Sequence, residues 1–395
     1  LQQQNMTSET SHPNAPQDAR RPTLLHLALV LARVGAIGFG GGMAVVALME
    51  QELVRRRRWL ELDEFLHGVG LGQMLGSFAV NAAAFAGYRL AGVAGALVAV
   101  VSFLAPSITL VIVLSALYFR FHAVPALQSA VTGLGPVVVA LIASAAWSIG
   151  SRSLGSWPAR VLAACALAAG ILRVNPAWIL LASGLAGLFL RLHGGAAPAR
   201  AGAEPEQARL PLLAAPAALT AAAGLADLAA VFFRIGLIFF GGGFVLLPVL
   251  HHRLVGQLGW LSPREFIDGV AISQLTPGPI AVLATFAGYH RQGVSGALVA
   301  TAALFLPGLL WMLFLSRQYE LRRDQPLAQR FLAGVNPAVT GLVASAAFVL
   351  GKGSMASWPH WTAAALAFFL LVKVRLHPAP VLAVAALAGW LGWIQ

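Results

Sequence analysis

Arg33-Val34-Gly35-Ala36-Ile37-Gly38-Phe39-Gly40-Gly41-Gly42 returns 201 positions later as Arg234-Ile235-Gly236-Leu237-Ile238-Phe239-Phe240-Gly241-Gly242-Gly243. The same offset aligns residues 33–106 with 234–307 without a gap, and 29 of those 74 positions are identical. The matches include Trp59-Leu60 with Trp260-Leu261, Glu64-Phe65 with Glu265-Phe266, Gln73 with Gln274, and Phe85-Ala86-Gly87-Tyr88 with Phe286-Ala287-Gly288-Tyr289. Pro106/Pro307, Pro125/Pro326, Gly133/Gly334, Pro136/Pro337 and Trp157-Pro158/Trp358-Pro359 keep the register further on. Biased composition alone does not align Trp, Tyr, Gln and Glu, so the chain is a tandem duplication.

Each copy is a membrane unit. Hydrophobic residues make up 58% of the chain and charged residues only 10%, and the mean hydropathy is +0.79. A soluble domain carries about 25% charged residues, so this chain cannot cover a water-facing surface. Stretches 91–117 and 127–149 exceed the roughly 20 residues needed to cross a ~30 Å hydrocarbon core. They show no period-two alternation, which excludes a barrel and leaves helices, whose backbone bonds close internally. The expected fold is an all-α polytopic membrane protein of two homologous, inverted-topology repeats with broken or re-entrant helices. The expected division is a polar tail (1–22), a first membrane repeat (23–192), an Ala/Gly/Pro/Arg-rich linker (193–209) and a second repeat (210–395). Met6 fits a natural start. The apolar segment from Thr23 fits an uncleaved insertion signal, because no secretory signal core precedes it.

The net charge of +12 is spread over short clusters between apolar segments, which argues for membrane loops and against nucleic acid as a partner. The single Cys165 excludes an intramolecular disulfide and a cysteine metal site. Arg55-Arg56-Arg57-Arg58 fill an early loop of the first copy, where the second reads Gly256-Gln257-Leu258-Gly259. Arg317, Arg322, Arg323 and Arg330 fill a later loop of the second copy. Positive loops stay cytoplasmic, so an odd number of crossings between these corners gives the halves opposite orientations. Gly and Ser interrupt 62–89, and Pro its equivalent in the second half, so the stretch reads as a re-entrant hairpin, with 91–117 the one full crossing. Residues 160–172 and 176–190 are each shorter than a span, and 210–224 reads as an element peculiar to the second half.

Inverted repeats place a transporter's site near mid-membrane, and the unusual residues are read in that light. Gly40, Gly41 and Gly42, like Gly241, Gly242 and Gly243, cost a helix roughly 1 kcal/mol each relative to Ala. Within apolar segments they mark a break that exposes backbone groups, or a close helix contact. In Gln274-Leu275-Thr276-Pro277-Gly278-Pro279 the prolines bar a helix interior and favour a helix start near Pro279. The N–H groups of that first turn suit an anion. The first copy reads Gln73-Met74-Leu75-Gly76-Ser77-Phe78, where Ser77 and Asn81 are the available donors. Arg33 and Arg234 each lie about nine residues into an apolar stretch. A buried Arg costs at least about 2.5–3.5 kcal/mol, so each is expected to face protein, water or a ligand, its fork of donors matching a tetrahedral oxyanion. The other readings are snorkelling and a structural pair with Glu64 or Glu265. Those matched acids are either proton-coupling carriers or helix N-terminal residues satisfied by backbone. Asp268 aligns with His67 and Asp227 with His26, so neither acid belongs to a symmetric pair.

No zinc-protease, serine-hydrolase or nucleotide-binding motif is present. No enzymatic activity, catalytic residue, metal or cofactor is therefore expected. The expected partners are a small inorganic oxyanion and the lipid bilayer, with a homodimer left open.

Phe240-Gly241-Gly242-Gly243, Gly259-Trp260-Leu261, Gln274-x-Thr276-Pro277-Gly278-Pro279, Ala287-Gly288-Tyr289 and Gly293-x-x-Gly296-Ala297-Leu298 together resemble the chromate transporter family. The likeness runs through both halves, as in its long two-domain form. It implies a multi-pass protein of the bacterial inner membrane, halves of opposite orientation, and chromate extrusion driven by the proton gradient. The first half departs from the family pattern, with Gly76-Ser77-Phe78 where a second Pro-Gly-Pro is expected. Sulfate, a tetrahedral dianion of similar size, is the alternative substrate, along with other small anions. A non-transporting membrane scaffold or sensor is the alternative of another class.

Overall fold

The computed structural model describes residues 22–38, 42–75, 77–121, 125–189, 222–239, 243–318, 326–355 and 357–393. The first half holds α1 (Leu24–Ile37), α2 (Gly42–Met49) running into a π-helical segment (Glu50–Arg56), α3 (Leu62–Met74), α4 (Phe78–Phe121), α5 (Pro125–Ser153), α6 (Trp157–Ile171) and α7 (Pro176–Phe189). The second repeats the order. It holds α8 (Ala222–Ile238), a 3-10 turn (Gly243–Val245), α9 (Leu246–Leu250), a π-helical segment (His251–Gln257), α10 (Pro263–Leu275), a 3-10 turn (Ile280–Val282), α11 (Leu283–Gln318), α12 (Pro326–Ser354), α13 (Trp358–Phe369) with a π-helical end (Leu370–Val374), and α14 (Pro378–Trp390). Among the described residues four helices are long and apolar enough to cross a membrane: Phe78–Phe121, Thr132–Ser153, Ile280–Arg317 and Ala333–Lys352. They form two repeat-related pairs. The linker 193–209 lies outside the described residues.

The expected re-entrant hairpin over 62–89 is present: α3 stops at Met74 and α4 returns from Phe78. Gly68 packs on the Phe85 ring and Glu64 pairs with Arg89, and Gly269 on Phe286 repeats the glycine contact in the second half. A backbone reversal follows each hairpin. In α4, Ala91 and Gly92 leave helical geometry (Gly92 φ 63°, ψ −152°), and in α11 Gln292 and Gly293 do the same (Gly293 φ 57°, ψ −143°). The chain reverses there, so a short arm (78–90 or 280–291) lies back along a long arm (93–121 or 294–318). Only glycine adopts that backbone cheaply. The arms then touch backbone to backbone. A β-carbon on Gly87 would sit 2.3 Å from the Gly95 oxygen, and one on Gly288 would sit 2.3 Å from the Gly296 oxygen.

A second re-entrant element precedes it. Helix α1 ends at Ile37 with Gly38 as its C-cap, and α2 begins at Gly42; residues 39–41 between them lie outside the described residues. The chain then returns towards its entry point. Arg57 Nη1 lies 3.1 Å from His26 Nε2, and the His26 and Trp59 rings meet edge-on at 5.0 Å. The first apolar segment thus enters and turns back.

The halves are inverted. Tyr118, near the end of α4, donates to Asp268, in the middle of α10, at 2.6 Å. Phe119 stacks on Tyr289 and packs 4.8 Å from His290, at the open end of the second half's hairpin. That open end therefore lies beside the far end of α4, opposite the first half's own open end at Arg57. Helices α5 and α12, equivalent in the repeat, run antiparallel: the Ser153 and Thr340 hydroxyls meet at 3.0 Å, and Val139 lies beside Gly351. The last helix pair of each half packs on the other half, α6 and α7 against α12, and α13 and α14 against α5. Close Gly187–Gly334 and Gly389–Gly133 contacts fix this exchange.

Candidate functional site

The broken segments of both halves converge in the interior. Helix α10 ends at Leu275, Thr276 and Pro279 are extended, and Gly278 has φ 111°. This is the turn that the two prolines predict, with a new helix starting after Pro279. The Gly278 N–H donates to the Gly38 oxygen at 3.1 Å, joining the tip of one half to the glycine break of the other. Ser107 Oγ, on the long arm of α4, donates to the Pro277 oxygen. Thr276 Oγ1 turns back to the Ser273 oxygen at 2.9 Å.

The first half mirrors this with different chemistry. Asn81 Nδ2 donates to the Leu75 oxygen, closing the turn that prolines close in the second half. Asn81 Oδ1 lies 3.4 Å from where a β-carbon on Gly308 would be. Gly308 is the repeat equivalent of Ser107, so each tip rests on the same position of the opposite long arm. Within each half, the end of the glycine break packs on the start of the short arm: Gly42 against the Phe78 ring, Gly243 against Ile280. Gly40, Gly41, Gly241 and Gly242 lie outside the described residues, and of Gln73 only the backbone, in α3, is described. Ser77, Asn81, Thr276 and Ser107 are buried, while Gln274 is half-buried.

None of the residues in these contacts is charged. The first correction follows from this. Arg33 and Arg234 are exposed, and neither points into the interior. Arg33 shares its face of α1 with Leu25, Leu29 and Ile37, which are 70%, 61% and 51% exposed. That stripe lies on the outside of the bundle, the placement that the snorkelling reading of Arg33 requires.

Glu64 and Glu265 also have structural work. Glu265 accepts from the Ser262 N–H at 2.7 Å while Ser262 Oγ accepts from the Glu265 N–H at 3.2 Å, a reciprocal capping box at the start of α10. This is the second of the two roles considered for it. Glu64 forms an ion pair with Arg89.

Sequence reasoning passed over Asp268 for want of a symmetric partner. It is only 3% exposed and holds the Tyr118 hydroxyl of the other half. It also lines a cavity of about 850 Å³ at the open end of the second half's hairpins. One signal was available: Asp268 follows the capping Glu265 by one turn, inside the helix that leads to a broken tip, where an acid is costly unless it is used.

Inverted repeats, paired re-entrant hairpins and tips that each rest on the long arm of the opposite half define a multi-pass membrane protein built as secondary transporters are. The sequence comparisons specify it further. The chain matches the chromate transporter family over residues 25–188 and 226–390, and it belongs to that family. It is 31% identical to the chromate transport protein of Cupriavidus metallidurans, with 96% of each chain covered. It is 33% identical to the chromate transport protein of Pseudomonas aeruginosa, over 91% of this chain and 90% of that one. A probable chromate transport protein of Synechococcus elongatus is 29% identical over 94% of this chain and 96% of its own. No solved structure matches. The chain is thus a multi-pass bacterial membrane protein, as its apolar helices also require.

Proposed function

We propose that this protein exports chromate, with the hairpin tips as the mid-membrane site and proton entry as the counter-flux. The observation that carries the reading is the meeting of two broken-helix tips on the opposite long arms. Interrupted backbone is tolerated at membrane depth only where protein or a water-filled cavity surrounds it. A scaffold gains nothing from that cost.

The second-half tip offers the N–H groups of the helix start after Pro279, while the Thr276 hydroxyl hydrogen is given to the Ser273 oxygen. The first-half tip offers Ser77 and Asn81. With no cation in these contacts, a tetrahedral dianion held there relies on N–H dipoles, hydroxyls and retained water. Outward movement agrees with the membrane potential, since at ~2.3 kcal/mol per charge per 100 mV a dianion is driven out of an inside-negative cell by about 4.6 kcal/mol. Asp268, buried between the halves and lining a cavity, suits proton coupling better than Glu64 or Glu265, which are already engaged.

The test is flux of radiolabelled chromate and sulfate in proteoliposomes, with and without a pH gradient. Chromate movement that accelerates with a gradient opposing it supports the reading. Sulfate moved in preference to chromate would reassign the substrate, and movement of neither would favour a scaffold.

A further inference from the structure

The cavity at the open end of the second half holds the cations that the tips lack. Its wall is made by the π-helical segment carrying His251 and His252, the start of α10 with Arg264, α12, and the α6–α7 turn. Arg173 in that turn belongs to the first half and takes a left-handed conformation (φ 59°) just after α6. Among the described residues no carboxylate lies within 4 Å of Arg173, and it is near enough to act electrostatically on both histidines. Arg264 donates to Thr132 Oγ1 of α5 at 2.6 Å, which holds its guanidinium at the wall. His252 Nε2 is buried and has no hydrogen-bond partner among the described residues. A buried polar atom without a partner is costly, and a ligand or water in the cavity would relieve that cost.

The duplication shows that this charge is particular to one end. His251, His252 and Arg264 occupy the positions held by Glu50, Gln51 and Asp63 in the first half. The first half is acidic there, and its Glu50 and Glu52 are tied to Arg55 and Arg56. One acid does line the second-half cavity: Asp268, which is bonded to Tyr118. At about 850 Å³ the space takes a tetrahedral ion with its hydration shell, since each water needs only ~30 Å³.

We propose that this cavity is a vestibule that binds a tetrahedral oxyanion dianion through Arg173, Arg264 and His252, at the membrane face opposite the Arg57 end. The proposal rests on the oxyanion-transport reading and adds a second binding place to it. Three donors from two halves converge on one water-accessible space, and Arg presents the planar fork that tetrahedral oxyanions accept. Positive loops stay cytoplasmic, so with Arg55–Arg58 inside, the vestibule opens to the outside. For an exporter it is the place where the anion rests between the tips and the exterior.

The experiment is calorimetric titration of the purified full-length protein in detergent with sodium chromate and with sodium sulfate, paired with KM and kcat from proteoliposomes. The variants are Arg173→Gln, His252→Leu and, as a control, Arg253→Gln, whose side chain bonds Gln257 outside the cavity wall. Expected is at least a tenfold loss of anion affinity in the first two, a raised KM with kcat retained, and parent-like behaviour of the control. Parent-like affinity and KM in both Arg173→Gln and His252→Leu would overturn the vestibule even if chromate is transported. An equal loss in Arg253→Gln would also overturn it, because the effect would then be general surface charge. If the parent moves no chromate yet loses sulfate binding on Arg173→Gln, the vestibule stands and the transport reading falls.

Discussion

Gly293→Ala isolates the backbone reversal that joins the short arm of α11 to its long arm. At φ 57° and ψ −143° the residue occupies a region that is close to glycine-only. An added β-carbon would meet nothing within 4 Å, so the penalty is backbone strain free of any steric clash. Holding a non-glycine residue there costs about 1–3 kcal/mol, and one to two kcal/mol already changes the folded ratio about 5–30-fold. Two companions bracket this value. Gly70→Ala also meets open space but sits inside α3 with helical backbone, where Ala gains about 1 kcal/mol over Gly. Gly288→Ala places its β-carbon 2.3 Å from the Gly296 oxygen, so the arms must part and the loss exceeds that of Gly293→Ala. The assay is unfolding in detergent followed by tryptophan fluorescence, with folded yield from size exclusion. The expected order of stability is Gly70→Ala, parent, Gly293→Ala, Gly288→Ala. A Gly293→Ala protein as stable as the parent would refute the claim that glycine backbone holds the reversal.

Arg33→Gln and Arg234→Gln should leave the KM for chromate unchanged, because both residues are exposed on the outside of the bundle, away from the tips; a tenfold rise in either would return them to the site. Pro279→Ala should raise KM, since the turn loses its fixed φ and can continue as helix; unchanged anion affinity would remove the second-half tip from the site. Cysteines at Arg56 and Arg317 should react with an impermeant thiol reagent only from the cytoplasmic side, and labelling of either from outside would contradict the orientation. Asp268→Asn should flatten the dependence of chromate flux on the pH gradient, whereas Glu265→Gln should lower stability through the lost cap and leave that dependence intact. The opposite pattern would assign coupling to Glu265.

The duplication, the helical class and the broken tips were legible because glycine and proline announce them at matched positions in otherwise featureless apolar text. The side to which Arg33 points stays open in the sequence, between a ligand, a structural pair and snorkelling, for a reason specific to membranes. Leu25, Leu29 and Ile37 on the outer face are as apolar as Leu27, Leu31 and Val34 on the inner one. Lipid accepts both faces, so periodicity does not say which way Arg33 points. The glycine break in the first segment could be read, but its return towards His26 could not, because that depends on contacts with Arg57 and Trp59. Asp268 gains its meaning from Tyr118, 150 residues away, and the repeat argument discounted it for lacking a twin. Partners recruited across the chain leave no local trace.

The exchange of terminal helix pairs has a mechanical consequence. Because α6 and α7 clasp α12 while α13 and α14 clasp α5, the repeats are interlocked like two hands gripping each other's wrists. A rocking of one half against the other would have to strip two helices from a close-packed seam at Gly187–Gly334 and again at Gly389–Gly133. The clasped helices therefore behave as a single rigid chassis. What remains free to shift between inward and outward access is the set of glycine-hinged hairpins mounted on it, each able to slide by small amounts without breaking the grip.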